Sequence, residues 1–173
     1  IEYVNWKNIS EYQPLSEEFL NEFSDRINWI SLSYNKTLSE DLIRKFKDKV
    51  DWKSISEQPL SENFIKEFQD KVDWDKITHY QTLSENFIRE FKDKVDWKAI
   101  SQYYTLSEDF IREFQDRVHW EEISYYQDLS EDFIREFKDK VDWAWIHFRN
   151  KQSKEFYNEF KDEINKAYKR KNK

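Results

Sequence analysis

Tryptophan returns in this chain at positions 6, 29, 52, 74, 97, 120 and 143, every 23 residues with a single interval of 22. A period of this length marks stacked supersecondary units, each too small to bury its own apolar face. Aligned on the indoles, the units share one template. It is clearest as Asp96-Trp97-Lys98-Ala99-Ile100-Ser101, a five-residue spacer, then Ser107-Glu108-Asp109-Phe110-Ile111-Arg112-Glu113-Phe114-Gln115-Asp116-Arg117-Val118.

The second segment carries a helix start signal. Ser16, Ser39, Ser61, Ser84, Ser107, Ser130 and Ser153 occupy an N-cap position, where the hydroxyl accepts an orphan backbone N–H. Leu106 before the cap and Ile111 after it form a hydrophobic staple. Phe110, Ile111, Phe114 and Val118 then make one apolar stripe at helical spacing, which predicts a long helix running through Val118. On its outward face, Glu113 with Arg117, Glu136 with Lys140, Arg112 with Asp116 and Arg135 with Asp139 are expected to pair at i,i+4. The first segment, Asp-Trp-x-x-Ile-Ser, predicts a helix of one to two turns capped by Asp. Its tryptophan is expected in the packing that joins units.

The fold expected is all-α. It is an α-solenoid of about seven two-helix repeats of 22–23 residues, a short helix plus a long helix, with a C-terminal capping helix. It reads as one domain over residues 1–173. Units begin near 5, 28, 51, 73, 96, 119 and 142, and the terminal capping helix covers 153–173. Glu2-Tyr3-Val4 match the tail of a long helix, so the chain reads as a fragment of a longer array.

Composition bounds the chemistry. Charged residues make up 38% and mean hydropathy is −1.08, values that alone suggest disorder. Aromatics at 18% on a strict period argue for a folded chain with much surface per residue. A net charge of −7 gives no bulk attraction to nucleic acid or an anionic membrane. No stretch is apolar enough to span a bilayer. Without glycine, phosphate loops and nucleophile elbows have no means to form. Without cysteine there is no thiolate ligand or nucleophile, which fits an intracellular, reducing compartment.

The Val-Asp-Trp-x-x-Ile-Ser and Leu-Ser-Glu-x-Phe-Ile-x-Glu-Phe-x-Asp-Lys-Val strings, which cover nearly the whole chain, resemble tandem helical repeats of giant DNA viruses and phages. That resemblance implies a viral origin, a place in the host cytoplasm or virion, and a role in particle assembly or in binding a host factor. It supplies no catalytic or cofactor-binding residues.

Several residue sets are candidates for function. Asp25, Asp48, Asp70, Asp93, Asp116, Asp139 and Asp162 recur in every unit. Seven equal copies do not make the single asymmetric constellation that catalysis needs, and the carboxylates are expected to bond the adjacent turn or the indole N–H. His79, His119 and His147 fall at three different template positions, so no metal or other cofactor is expected. Arg44, Lys66, Arg89, Arg112 and Arg135 form a basic ladder. Each has an Asp four residues on, which disfavours a phosphate backbone as partner.

The spacers vary most, and they carry Tyr12, Tyr34, Tyr80, Tyr103, Tyr104, Tyr125 and Tyr126. Tyrosine offers rigid amphipathic contact area, so this row is the candidate binding surface, with shielding of unit boundaries as the other reading. Trp145 stands off the template, either closing the array's end or acting as an anchor for a docking subunit. The function expected is a non-enzymatic structural or interaction protein whose partner is another protein or further copies of itself. The alternative is a viral inhibitor of a host defence protein, working by acidic mimicry of nucleic acid.

Overall fold

The computed structural model describes residues 4–34, 38–149 and 152–171. Residues 1–3, on which the reading of a truncated helix rests, lie outside them, as do Asn172 and Lys173. All regular structure among the described residues is α-helical. The chain divides into two compact units, residues 1–83 and 84–173.

The first unit holds α1 (Trp6–Tyr12), α2 (Glu17–Phe23), α3 (Trp29–Ser33), α4 (Glu40–Lys45), α5 (Trp52–Ile55), α6 (Glu62–Glu67) and α7 (Trp74–Tyr80). The second holds α8 (Glu85–Glu90), α9 (Trp97–Tyr103), α10 (Glu108–Glu113), α11 (Trp120–Tyr126), α12 (Glu131–Glu136), α13 (Trp143–Arg149), α14 (Lys154–Glu159) and α15 (Lys161–Lys171). Tryptophan-first helices pack in series, α1 on α3 on α5 in one unit and α9 on α11 on α13 in the other. The protein is an all-α solenoid of tandem two-helix repeats.

The start signals act as the sequence implies. Every N-cap serine from Ser16 to Ser153 accepts the N–H three residues on. Asp51, Asp73 and Asp96 cap the tryptophan helices, and Asn5 and Asn28 do the same in the first two repeats. His119 occupies the same place with no side-chain cap bond. Phe110, Ile111, Phe114 and Val118 are all buried.

The two helices of a repeat are not a short one and a long one. α9 has seven residues and α10 has six. Phe114 leaves helical geometry at φ −111°, ψ 28°. A separate turn follows, in which the Arg117 and Val118 N–H groups both donate to the Phe114 carbonyl, at 2.8 and 3.0 Å. Periodicity misses the break because a broken turn still puts Phe110, Phe114 and Val118 on the inner side. In the last repeat the turn is replaced by helix. α14 ends at Phe160 (φ −110°, ψ 24°) and α15 then continues for eleven residues, burying Ile164 and packing on α13. The stretch expected to be one capping helix is therefore two.

No described residue has a positive φ. Helix ends turn through extended residues such as Gln81 and Gln127, so a chain without glycine closes every corner it makes.

The break also redirects the charges. Glu113, Glu136, Arg112 and Arg135 do not make the expected i,i+4 pairs, because the helix stops before the partner arrives. They pair between repeats instead. Arg112 Nε donates to Glu136 at 2.8 Å while its guanidinium carbon lies 5.0 Å over the Phe133 ring. Arg89 with Glu113 and Phe110, and Arg135 with Glu159 and Phe156, repeat this. Arg44 does so with Glu67 and Phe64 in the first unit.

The aspartates likewise meet the next repeat's cation. Asp25 pairs with Lys49 and Asp48 with Lys71 in the first unit, Asp93 with Arg117 and Asp116 with Lys140 in the second. They do not bond the indole as expected. The indole N–H of Trp29, Trp52, Trp74, Trp97, Trp120 and Trp143 donates instead to the backbone carbonyl five residues earlier, as Trp52 does to Lys47 and Trp120 to Gln115. The ring rests on the phenylalanines of its own repeat, Trp97 on Phe110 and Phe114 at 6.1 and 4.9 Å.

A buried relay runs beneath the charges. The Ser101 hydroxyl, fully buried, donates to the Trp97 carbonyl at 2.7 Å and accepts the His119 N–H at 2.9 Å. Ser10, Ser33, Ser56 and Ser124 do the same for Asn28, Asp51, Asp73 and Asp142. The Glu108 carboxylate accepts the N–H of Ser130, and Glu40, Glu85 and Glu131 serve Ser61, Ser107 and Ser153. Each such pair seats the next helix start on a charge.

Candidate functional site

With the inward and inter-repeat positions occupied, most of the large apolar side chains still exposed among the described residues sit at the C-terminal ends of the tryptophan helices. Tyr12, Tyr80, Tyr103 and Tyr126 are structurally equivalent. Each is the last residue of its helix rather than part of the spacer loop. In a helix of two turns begun at the cap, this side chain lies two residues past the buried Ser or Thr and so on roughly the opposite side of the helix from it. Tyr12, Tyr80 and Tyr103 are 68, 58 and 60% exposed, and Tyr126 is 38%. Tyr34, which ends α3 one position earlier, is 66% exposed.

Polar neighbours contact three of these rings. Glu11, hydrogen-bonded to the Tyr12 hydroxyl, raises that phenol above its ordinary range. The Lys76 ammonium lies 5.5 Å over the Tyr80 ring, and is itself fixed by Glu57 at 2.8 Å. In the second unit Gln102 Nε2 donates to the Tyr126 hydroxyl at 3.2 Å, joining α9 to α11.

The second unit also gathers three of the sequence candidates into one cluster. Tyr125 meets Tyr126 edge-on at 4.5 Å and Trp145 edge-on at 4.4 Å between ring centroids. Trp145 and Tyr125 are each half-buried in this contact. Tyr104 stands apart. It occupies the register of a buried glutamine, and burial pushes its phenol far up.

That glutamine register lies in the spacer and is structural. Gln81 Nε2 donates to the Ser56 and Gln58 carbonyls at 3.1 and 2.7 Å, while its Oε1 accepts the Leu60 N–H. Gln127 does likewise for Ser101, Tyr104 and Leu106. Gln58 bonds the Ser33 carbonyl. The signal was present in the sequence: Gln13, Gln58, Gln81 and Gln127 recur beside residues that do not.

One exposed residue escaped the sequence reading. Ile30 is 65% exposed and lines a shallow groove with Lys7, Glu11, Asn28, Ser31 and Tyr34. Lys, Asp or Glu stands at its position in five other repeats, so the departure itself was the available clue.

The basic ladder is saturated. Arg112 holds Glu108, Asp109 and Glu136, and the hydrogen bond it donates to Glu136 leads in raising its pKa. Of the histidines, His79 Nδ1 lies 2.8 Å from the Asp75 carbonyl, His119 is a helix cap, and the His147 ring lies 5.8 Å from that of Tyr157.

No family model matches this chain, and neither a curated protein nor a solved structure is significantly similar to it. No helix among the described residues is long and apolar enough to cross a membrane.

Proposed function

We propose that this is a non-enzymatic interaction protein whose solenoid presents the helix-end tyrosines to a protein partner. One observation carries the reading: Tyr12, Tyr80 and Tyr103 stay more than half exposed at a single equivalent position, where packing asks nothing of them. Tyrosine rings already held by neighbouring side chains lose little freedom on binding, which favours contact energy over ordering cost. The lack of an enzymatic role rests on the charged groups. Those with shifted pKa values are members of ladders and caps, spent on structure. On the viral resemblance, the partner would be a particle component or a host factor, met in the host cytoplasm or virion.

The test is replacement of Tyr80, Tyr103 and Tyr126 together by alanine, with co-purified partners identified by mass spectrometry. Helicity by circular dichroism stays unchanged while capture falls at least tenfold. Undiminished capture would place the contact elsewhere. Complex formation that weakens steeply with salt would favour acidic mimicry of nucleic acid over aromatic contact.

A further inference from the structure

In three repeats a single ammonium group serves two partners. Lys49, Lys71 and Lys140, each from the turn that closes its repeat, lie 6.0, 5.8 and 5.7 Å over the rings of Trp29, Trp52 and Trp120. Each also pairs with an aspartate of the preceding repeat, Asp25, Asp48 and Asp116, at 2.8, 2.9 and 3.2 Å. An indole face and a carboxylate together thus seat a primary ammonium, through the ring quadrupole and a charge-assisted hydrogen bond.

The repeat that opens at Trp143 keeps the ring and the aspartate and changes the third member. Trp143 donates its indole N–H to the Lys138 carbonyl at 3.0 Å and rests on Phe160 at 4.7 Å, as Trp120 does on Gln115 and Phe137. Asp139 stands where Asp116 does, and Glu163 stands where Lys140 does. A second carboxylate therefore replaces the ammonium. Neither Asp139 nor Glu163 has a hydrogen bond or ion pair among the described residues, and no cation of the described residues lies over the Trp143 ring. The difference rests on the identity of residue 163, within α15 and packed beside α13.

Two open clefts of about 410 Å³ each meet at Glu163. Trp143 lines one and Asp139 the other. The remaining carboxylate on the Asp139 side, Glu159, is already held by Arg135. Lys166 and Arg170 line the Trp143 side and Lys138 the Asp139 side, all three exposed.

We propose that Trp143, Asp139 and Glu163 form a binding site for a primary alkylammonium group from outside the chain, either a lysine side chain or a free aliphatic diamine. The lysines over Trp29, Trp52 and Trp120 define the group that fits, an ammonium on a short aliphatic stem. Two carboxylates in place of one favour it further. The site does not involve the helix-end tyrosines.

The test titrates the full chain with N-acetyl-lysine N-methylamide, with cadaverine, and with the norleucine analogue of the first, which lacks the ammonium, while indole N–H resonances are followed by NMR. The Trp143 resonance, assigned by its loss in Trp143→Phe, moves saturably with the amines and not with the norleucine compound. Trp120, whose ring already carries Lys140, stays still. The tighter-binding amine names the source, a protein side chain or a free diamine. Glu163→Lys supplies the cation from within, so it abolishes the response and raises the thermal midpoint. Lys166→Ala with Arg170→Ala leaves the response in place. No movement of Trp143, equal movement of Trp120, or an undiminished response in Glu163→Lys would each overturn the proposal. So would a response that appears only once Lys166 and Arg170 are removed, since the chain's own cations would then hold the site.

Discussion

A serine inside a helix ordinarily spends its hydroxyl on the carbonyl one turn back, which adds little. Here the same oxygen also takes the N–H that opens the next repeat, so one buried atom satisfies two repeats. Removing it strands the His119 N–H, and a stranded buried donor costs about 1–3 kcal/mol. The exposed ladder pairs are screened by solvent and contribute little, so the relay is the stronger join. Ser101→Ala is expected to lower the urea midpoint more than Arg112→Ala, while Ser101→Thr is tolerated, since Thr78 fills that place in its own repeat. A larger effect from Arg112→Ala would reverse that ranking.

The charges still leave a mark on pH dependence. Asp48 is held below its ordinary 3.8, first by the hydrogen bond from Lys71 and then by its charge, and the Ser153 N–H holds Glu131 below 4.5. A depressed carboxylate stabilises the fold above its ordinary pKa and ceases to do so as the pH falls through the folded value. The midpoint should therefore drop on acidification from about pH 4.5 downward, and more shallowly in Lys71→Met. An equal slope in that variant would show that the pair makes no contribution.

At the scale of the element, His119 is the weak start. It opens α11 with no side-chain acceptor, where Asp96 opens α9 with one. His119→Asp is expected to stabilise the protein by about 0.5–1 kcal/mol, read from urea unfolding. No gain would mean that the Glu121 and Glu122 charges in the first turn already supply what the cap would. Helix starts were legible in the sequence because a cap is a local bond between residues three apart. Helix ends were not. The break at Phe114 is fixed by where the next repeat must begin, and an inward phenylalanine every four residues looks the same on either side of it. The tyrosines are legible as candidates, but their placement on the last helical turn depends on where the tryptophan-first helices end, which a cap at the other terminus does not fix. The structural role of the glutamines is not legible, because their partners, backbone carbonyls of the preceding repeat, leave no trace in residue identity.

For the whole molecule, nearest-neighbour bonding of this kind makes stability a sum over repeats and their junctions. Deleting residues 96–118 sets Glu85, Arg89 and Asp93 against Ser130, Glu136 and Lys140, equivalents of the partners they lose. The shortened chain should fold with a lower midpoint and a smaller dependence on urea, since less surface is exposed on unfolding. A non-cooperative melt would show that the repeats are not interchangeable.

The indole anchor carries an optical consequence. Six rings, Trp29, Trp52, Trp74, Trp97, Trp120 and Trp143, sit half-covered with the same N–H···O=C bond at 2.8–3.0 Å. Such uniform surroundings give one narrow fluorescence band instead of a composite. A phenylalanine put in place of any one of these chromophores dims the emission by its share and leaves its colour alone. Trp145, packed edge-on against Tyr125, is the emitter that would report on the tyrosine cluster beside it.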